Sequence, residues 1–106
     1  MRILILGGNG FIGKNLIATL SVNTEHSLYF PTKDHVDILK YEDISCCIQD
    51  IRPDVIFNLA SHGGSLHYVS EYAGDVYHDN VSMALNIYRA VQTVSPNSKI
   101  IQPFSN

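Results

Sequence analysis

Met1-Arg2-Ile3-Leu4-Ile5-Leu6-Gly7-Gly8-Asn9-Gly10-Phe11-Ile12-Gly13-Lys14-Asn15-Leu16-Ile17-Ala18-Thr19-Leu20 opens the chain. A short run of apolar β-formers gives way to glycines at 7, 10 and 13. Apolar residues at helical spacing follow: Ile12, Leu16, Ile17 and Leu20. Strand, glycine turn, helix is the context in which a G-x-x-G-x-x-G spacing acquires meaning. The N-terminus of a helix offers unpaired N–H groups and a partial positive charge to an anion. A phosphate can use them only where no Cβ stands in the way. Gly7 permits the tight turn out of the strand, Gly10 lets the backbone meet the phosphates, and Gly13 lets the helix lie close to the sheet. The alternative is a glycine-rich turn with no ligand. Against it, Gly10 and Gly13 weaken the opening of a helix and have no other evident use.

Composition narrows the rest. A chain of 106 residues supports one domain at most. It is 45% hydrophobic and 16% charged, ordinary for a water-soluble fold. A formal charge of −3 and the lack of any Lys/Arg cluster argue against nucleic acid as a partner. No apolar run approaches the ~20 residues of a membrane span, and the N-terminus lacks the apolar core of a secretory signal. Cys46 and Cys47 are adjacent, which makes no ordinary structural staple and fits a reducing, cytoplasmic setting.

Along the chain, strand and helix patterns alternate. Arg2–Leu6 reads as a strand, Phe11–Leu20 as a helix, Ser27–Pro31 as a second strand and Tyr41–Ile51 as a second helix. Asp54–Leu59 is a buried strand introduced by Pro53, and a polar loop runs from Ala60 to about Leu66. Ser70–Val94 has a long helical pattern with a break expected near Asp79–Asn80. Lys99–Phe104 is a fourth strand that Pro103 ends or confines to an edge. Alternation of this kind implies an α/β fold, a parallel sheet with right-handed crossovers and flanking helices. With about four strands the expected order is 3-2-1-4, and a ligand is expected at the carboxyl ends of the strands, at the switch between the first and fourth.

The quoted segments resemble the extended short-chain dehydrogenase/reductases, the NAD-dependent epimerase/dehydratase family that modifies nucleotide sugars. Gly7 to Gly13 is similar to that family's opening G-x-x-G-F-I-G. Asp54-Val55-Ile56-Phe57-Asn58-Leu59-Ala60-Ser61 resembles its third strand, which usually ends in H-L-A-A. Asn80-Val81-Ser82-Met83-Ala84-Leu85-Asn86-Ile87 resembles its N-V-x-G-T-x-N-L helix, with Met83 and Ala84 in place of Gly and Thr. Ser61-His62-Gly63-Gly64 and Thr32-Lys33-Asp34 look closest to the GDP-fucose synthase type. The resemblance covers nearly the whole chain. It implies that residues 1–106 are an NAD(P)-binding Rossmann domain, the N-terminal part of a longer enzyme.

The resemblance also assigns residues. Gly7, Asn9, Gly10, Phe11, Ile12 and Gly13 would form the diphosphate turn. Asp37 would accept from the adenine amino group, which is a donor, while Ile38 packs on the ring; a solvated or capping carboxylate is the alternative. Lys33 would meet the 2′-phosphate of NADP, where an acidic residue would instead hold the ribose of NAD; a simple surface turn is the alternative. NADP is therefore favoured over NAD, although Asn9 stands where a second basic residue is common. Leu59, Ala60, Ser61 and His62 would pass along the ribose and diphosphate. His62 could also serve chemistry or orient substrate, or be merely solvated.

Family members work with Ser, Tyr and Lys, the last two in a Y-x-x-x-K helix whose lysine helps the tyrosine act as acid or base. Ser105 is the candidate for the serine. Tyr29 and Lys33 have the Y-x-x-x-K spacing but fall on a strand and its turn. The expected function is thus the dinucleotide-binding portion of a nucleotide-sugar epimerase, dehydratase or reductase, without turnover of its own. The alternative is a non-catalytic dinucleotide-sensing or partner-binding module. A receiver-type signalling domain shares the alternation but needs clustered acidic residues at strand ends, which this chain lacks. His62, His67 and His78 match no zinc spacing, so no metal is expected. Cys46 reads either as a reactive thiol or, the favoured alternative, as a residue buried in the second helix. The tyrosines at 68, 72, 77 and 88 read as packing residues. Ile100 and Ile101, on an open sheet edge, suggest a homo-oligomer.

Overall fold

The computed structural model describes residues 1–62 and 66–103. Its elements in order are β1 (Arg2–Leu6), α1 (Phe11–Leu20), β2 (Ser27–Tyr29), α2 (Tyr41–Ile51), β3 (Val55–Asn58), α3 (Leu66–Glu71), α4 (Ala73–Val94) and β4 (Lys99–Ile101). The four strands form one parallel sheet of order β2-β1-β3-β4. Ile3, Leu4, Ile5 and Leu6 of β1 are all buried. A strand buried on both faces reads as a continuous apolar run, as Ile-Leu-Ile-Leu does.

The expected order 3-2-1-4 is therefore corrected. It would have placed β2 inside the sheet, but β2 is only three residues, Ser-Leu-Tyr. Pro31, two residues on, has no N–H to donate to a second neighbour. The longer β3 instead takes the other side of β1, paired from Ile3↔Val55 to Leu6↔Asn58. The chain's direction across the sheet thus reverses between β1 and β3, not between the first and fourth strands, and the ligand crevice moves with it.

Alternate residues of a strand face opposite sides of the sheet. Leu4, Leu6 and Ile56 pack with Ile44 and Ile48 of α2 and with Ile87, Ala90 and Val91 of α4. The opposite face is covered by α1, which rests on β1. The α2 helix has the predicted bounds. Glu42 and Asp43 occupy its first turn, where negative charge complements the helix dipole. Arg52 closes it in the left-handed region at φ 48°, and Pro53 prevents its continuation.

Other boundaries differ. The second, third and fourth strands are each shorter than predicted. The helical region after β3 begins at Leu66, ahead of the expected Ser70. The helical region breaks at Tyr72, between α3 and α4, and runs unbroken through Asp79–Asn80. Asp and Asn weaken a helix when their side chains compete for its own backbone. Here both are engaged elsewhere, by the segment after β3. Tyr77 and Tyr88 are exposed, and Tyr72, also exposed, keeps its ring 4.9 Å from that of Tyr68. On the β4 edge, Ile101 is exposed while Ile100 packs against the core. No described helix is long and apolar enough to cross a membrane.

Gly13 fixes the seat of α1. A Cβ there would lie 2.5 Å from the Gly7 carbonyl oxygen and 2.7 Å from the Gly8 Cα. Both neighbours are backbone and cannot turn aside. Gly74, early in α4, has nothing within 4 Å of a built Cβ. Gly13→Ala should therefore destabilise the fold by about 1–3 kcal/mol, the cost of overpacking. Gly74→Ala should be neutral or stabilising by up to about 1 kcal/mol. Urea midpoints of the two variants against the parent chain check the contrast.

Candidate functional site

The tips of β1, β2 and β3 open into a cleft of about 550 Å³. Its centre is the glycine turn. Gly7 adopts φ 82°, a left-handed conformation natural only to glycine. A Cβ at Gly7 would strike the Leu59–Ala60 backbone at 2.6 Å. The Gly10 N–H donates to the Gly7 carbonyl at 3.2 Å, closing the turn. Gly10 is then the N-cap of α1, with no side-chain cap, and no acidic residue occupies the first turn. The leading N–H groups of α1 thus have no side-chain acceptor, which is the state an anion-binding helix end requires.

Gly10 differs from its neighbours. Its built Cβ meets only the Gly7 carbonyl oxygen, at an ordinary 3.5 Å. The fold itself has room for a side chain there.

Of the residues singled out in the sequence, Gly7, Asn9, Gly10, Lys33, Asp37, Ile38, Leu59, Ala60, Ser61 and His62 all line this cleft. Gly13 lies beneath the turn. Phe11 and Ile12 do not line the cleft; their side chains are 84% and 63% exposed, so only their backbone can serve it. Ser105 falls outside the described residues. Asp37 Oδ1 accepts the Leu39 N–H at 3.0 Å while the residue lines the cleft. The Ile38 carbonyl accepts from Asn86 Nδ2 at 2.9 Å, fixing that segment to α4.

Sequence reasoning passed over Val36, Leu39, Asp79 and Met83, which also line the cleft. For Asp79 and Met83 a signal existed. Positions 79, 83, 87, 90 and 94 form one helical stripe. Its C-terminal members are core, and its N-terminal members become the cleft wall.

A polar cluster surrounds His62. The Asn80 side chain accepts the His62 N–H at 2.7 Å and donates to the His62 carbonyl at 3.1 Å, as a neighbouring strand would. The imidazole Nδ1 lies 2.9 Å from Asp79 Oδ2, and Nε2 lies 2.6 Å from the Tyr68 hydroxyl. A carboxylate can only accept, so Nδ1–H is the donor of the His62–Asp79 bond. Among the described residues, no three His, Cys, Asp or Glu side chains come together as a metal site would need. Burial, with the Asp50 carboxylate nearby, pushes the Cys47 thiol up to about 11. Cys46 is the exposed thiol of the pair.

The sequence profile of the NAD dependent epimerase/dehydratase family matches residues 3–105. The chain belongs to that family. GDP-L-fucose synthase of Azorhizobium caulinodans is 32% identical over 88 residues, covering 81% of this chain and 27% of that protein. GDP-L-colitose synthase of Yersinia pseudotuberculosis is 24% identical over 92 residues, covering 87% of this chain and 30% of that protein. Among solved structures, a dTDP-4-dehydrorhamnose reductase from Bacillus anthracis in complex with NADP aligns with a TM-score of 0.81 at 28% identity. The alignment covers 93% of this chain and 34% of that one. The family member described here therefore spans about a third or less of the length of these relatives. Its sheet with flanking helices is the Rossmann type.

Asn80→Ala removes both bonds that hold the His62 backbone. A loss of about 1–3 kcal/mol is expected from the unpaired backbone groups. Urea unfolding, together with faster amide exchange confined to residues around His62, checks it.

Proposed function

We propose that this chain is the NAD(P)-binding portion of a nucleotide-sugar epimerase, dehydratase or reductase. The observation that carries the reading is the uncapped start of α1 facing a cleft whose Gly10 has no Cβ in the ligand's path. The residues present fit the group. Gly7, Asn9 and Gly10 would hold the diphosphate against the leading N–H groups of α1. Asp37 and Ile38 would meet the adenine, Lys33 the adenosine ribose or its 2′-phosphate, and Leu59 to His62 the far half. The bound nicotinamide supplies a hydride acceptor or donor. This chain's own part is to bind and orient it.

The binding portion is proposed to lack turnover by itself. Its one Y-x-x-x-K spacing begins at Tyr29, on strand β2, where the pair cannot share a helix face, and Ser105 would contribute only beside such a pair. NADP is the favoured cofactor, supported by Lys33 at the cleft and by the NADP complex of the related reductase. The free thiols of Cys46 and Cys47 support a reducing, cytoplasmic setting.

Titration of NADPH with this chain should enhance nicotinamide fluorescence with a Kd in the micromolar range. Gly10→Ala should weaken binding at least about tenfold, or ~1.4 kcal/mol, with little change in melting temperature. Lys33→Glu should cut the preference for NADPH over NADH by a similar factor. Absence of binding by either cofactor at millimolar concentration would refute the reading.

Self-association is proposed as well. Tyr77, Val81, Leu85 and Tyr88 form an exposed apolar stripe along α4, and β4 is an edge strand, a template for further pairing. Light scattering at high micromolar concentration should give a mass above that of the 11.8 kDa monomer; a clean monomer would count against it.

A further inference from the structure

The part of the cleft beside His62 carries a carboxylate that the glycine turn does not explain. Asp79 lines the cleft with its side chain 30% exposed. We infer that the Asp79 carboxylate, oriented by His62, accepts hydrogen bonds from the vicinal hydroxyls of the ligand's second ribose, the one beyond the diphosphate. This rests on the dinucleotide reading above.

Placement comes first. Asn86 of α4 is tied to Ile38, at the end of the cleft assigned to adenine. Met83 is about one turn back along the helix and Asp79 one turn further, and both line the cleft. Seven residues of helix carry Asp79 about 10 Å from the Asn86 anchor. Between them, in ligand terms, lies the glycine turn with its diphosphate. What reaches Asp79 is the portion of the dinucleotide past the phosphates.

Chemistry selects the group. An ionised carboxylate offers about four acceptor positions. Asp79 Oδ2 receives the His62 Nδ1–H at 2.9 Å, and Oδ1 stands 3.6 Å from the exposed His78 Nδ1, too far for a hydrogen bond. Acceptor capacity therefore remains. A carboxylate repels phosphate, so it favours an uncharged ligand group that donates. A ribose presents two adjacent hydroxyl donors. The repulsion also favours a register with the diphosphate on the N–H side of the cleft.

The carboxylate is held ready. His62 is fixed through its backbone by Asn80, and its ring is fixed between Asp79 and Tyr68. His62 is thus a positioning residue: its Nδ1–H sets the Asp79 carboxylate, much as a second partner orients a functional group elsewhere.

The test compares ADP with ADP-ribose by calorimetry, since the two differ by the second ribose. The parent chain should bind ADP-ribose more tightly than ADP. Asp79→Ala should weaken ADP-ribose about tenfold and leave ADP within about twofold. Asp79→Asn, which keeps the shape and exchanges one acceptor for a donor, should lower ADP-ribose affinity by less and provides a folded control. His62→Gln, which keeps a donor for Asp79, should retain more ADP-ribose affinity than His62→Ala. Parallel losses for both ligands, or no loss for ADP-ribose, would overturn the inference while leaving dinucleotide binding intact. If the parent chain binds neither ligand, the dinucleotide reading fails and this inference fails with it.

Discussion

The close approach of Gly13 to the Gly7 carbonyl is the constraint on which the site depends. It allows the first helix to start directly above the tip of the central strand. With a side chain at Gly13 the helix would have to rise off the turn, and its leading N–H groups would lose their aim. The same economy appears at Gly7, whose left-handed conformation and contact with the Leu59–Ala60 backbone draw the tips of β1 and β3 together. Two glycines thus serve the fold, and the third, Gly10, stays bare although the fold has room for a side chain there.

The α4 helix links the packing core to the cleft. Ile87, Ala90 and Val91 complete the apolar layer over Leu4, Leu6 and Ile56. One and two turns earlier the same face presents Met83 and Asp79 to the cleft. Its neighbouring residue Asn80 substitutes for a missing strand partner at His62. A single rigid element therefore positions the Ile38 segment through Asn86 and the opposite wall of the cleft through Asp79 and Asn80. Such support from regular structure holds groups more closely than loops do.

Much of this was legible in the sequence. The glycine spacing, the β1 run and the bounds of α2 are local patterns, and each is stated within a dozen residues. What the sequence concealed depends on contacts between distant segments. Strand order followed from the shortness of β2 and the pairing capacity of β3, which propensity does not weigh. The continuity of α4 at Asp79–Asn80 depended on partners at His62, seventeen and eighteen positions earlier. Phe11 and Ile12, inside the most recognisable motif, point to solvent. The motif records where the backbone must go and not where those side chains point.

The central position of β1 has a consequence for biosynthesis. Its first residue exchanges bonds with Asp54, 52 positions later, and although β2 can pair with one edge early, the other edge waits for the third strand. A ribosome therefore releases this apolar strand some fifty residues before its main partner. Non-local pairing of this kind slows folding and leaves apolar chain uncovered in the interval.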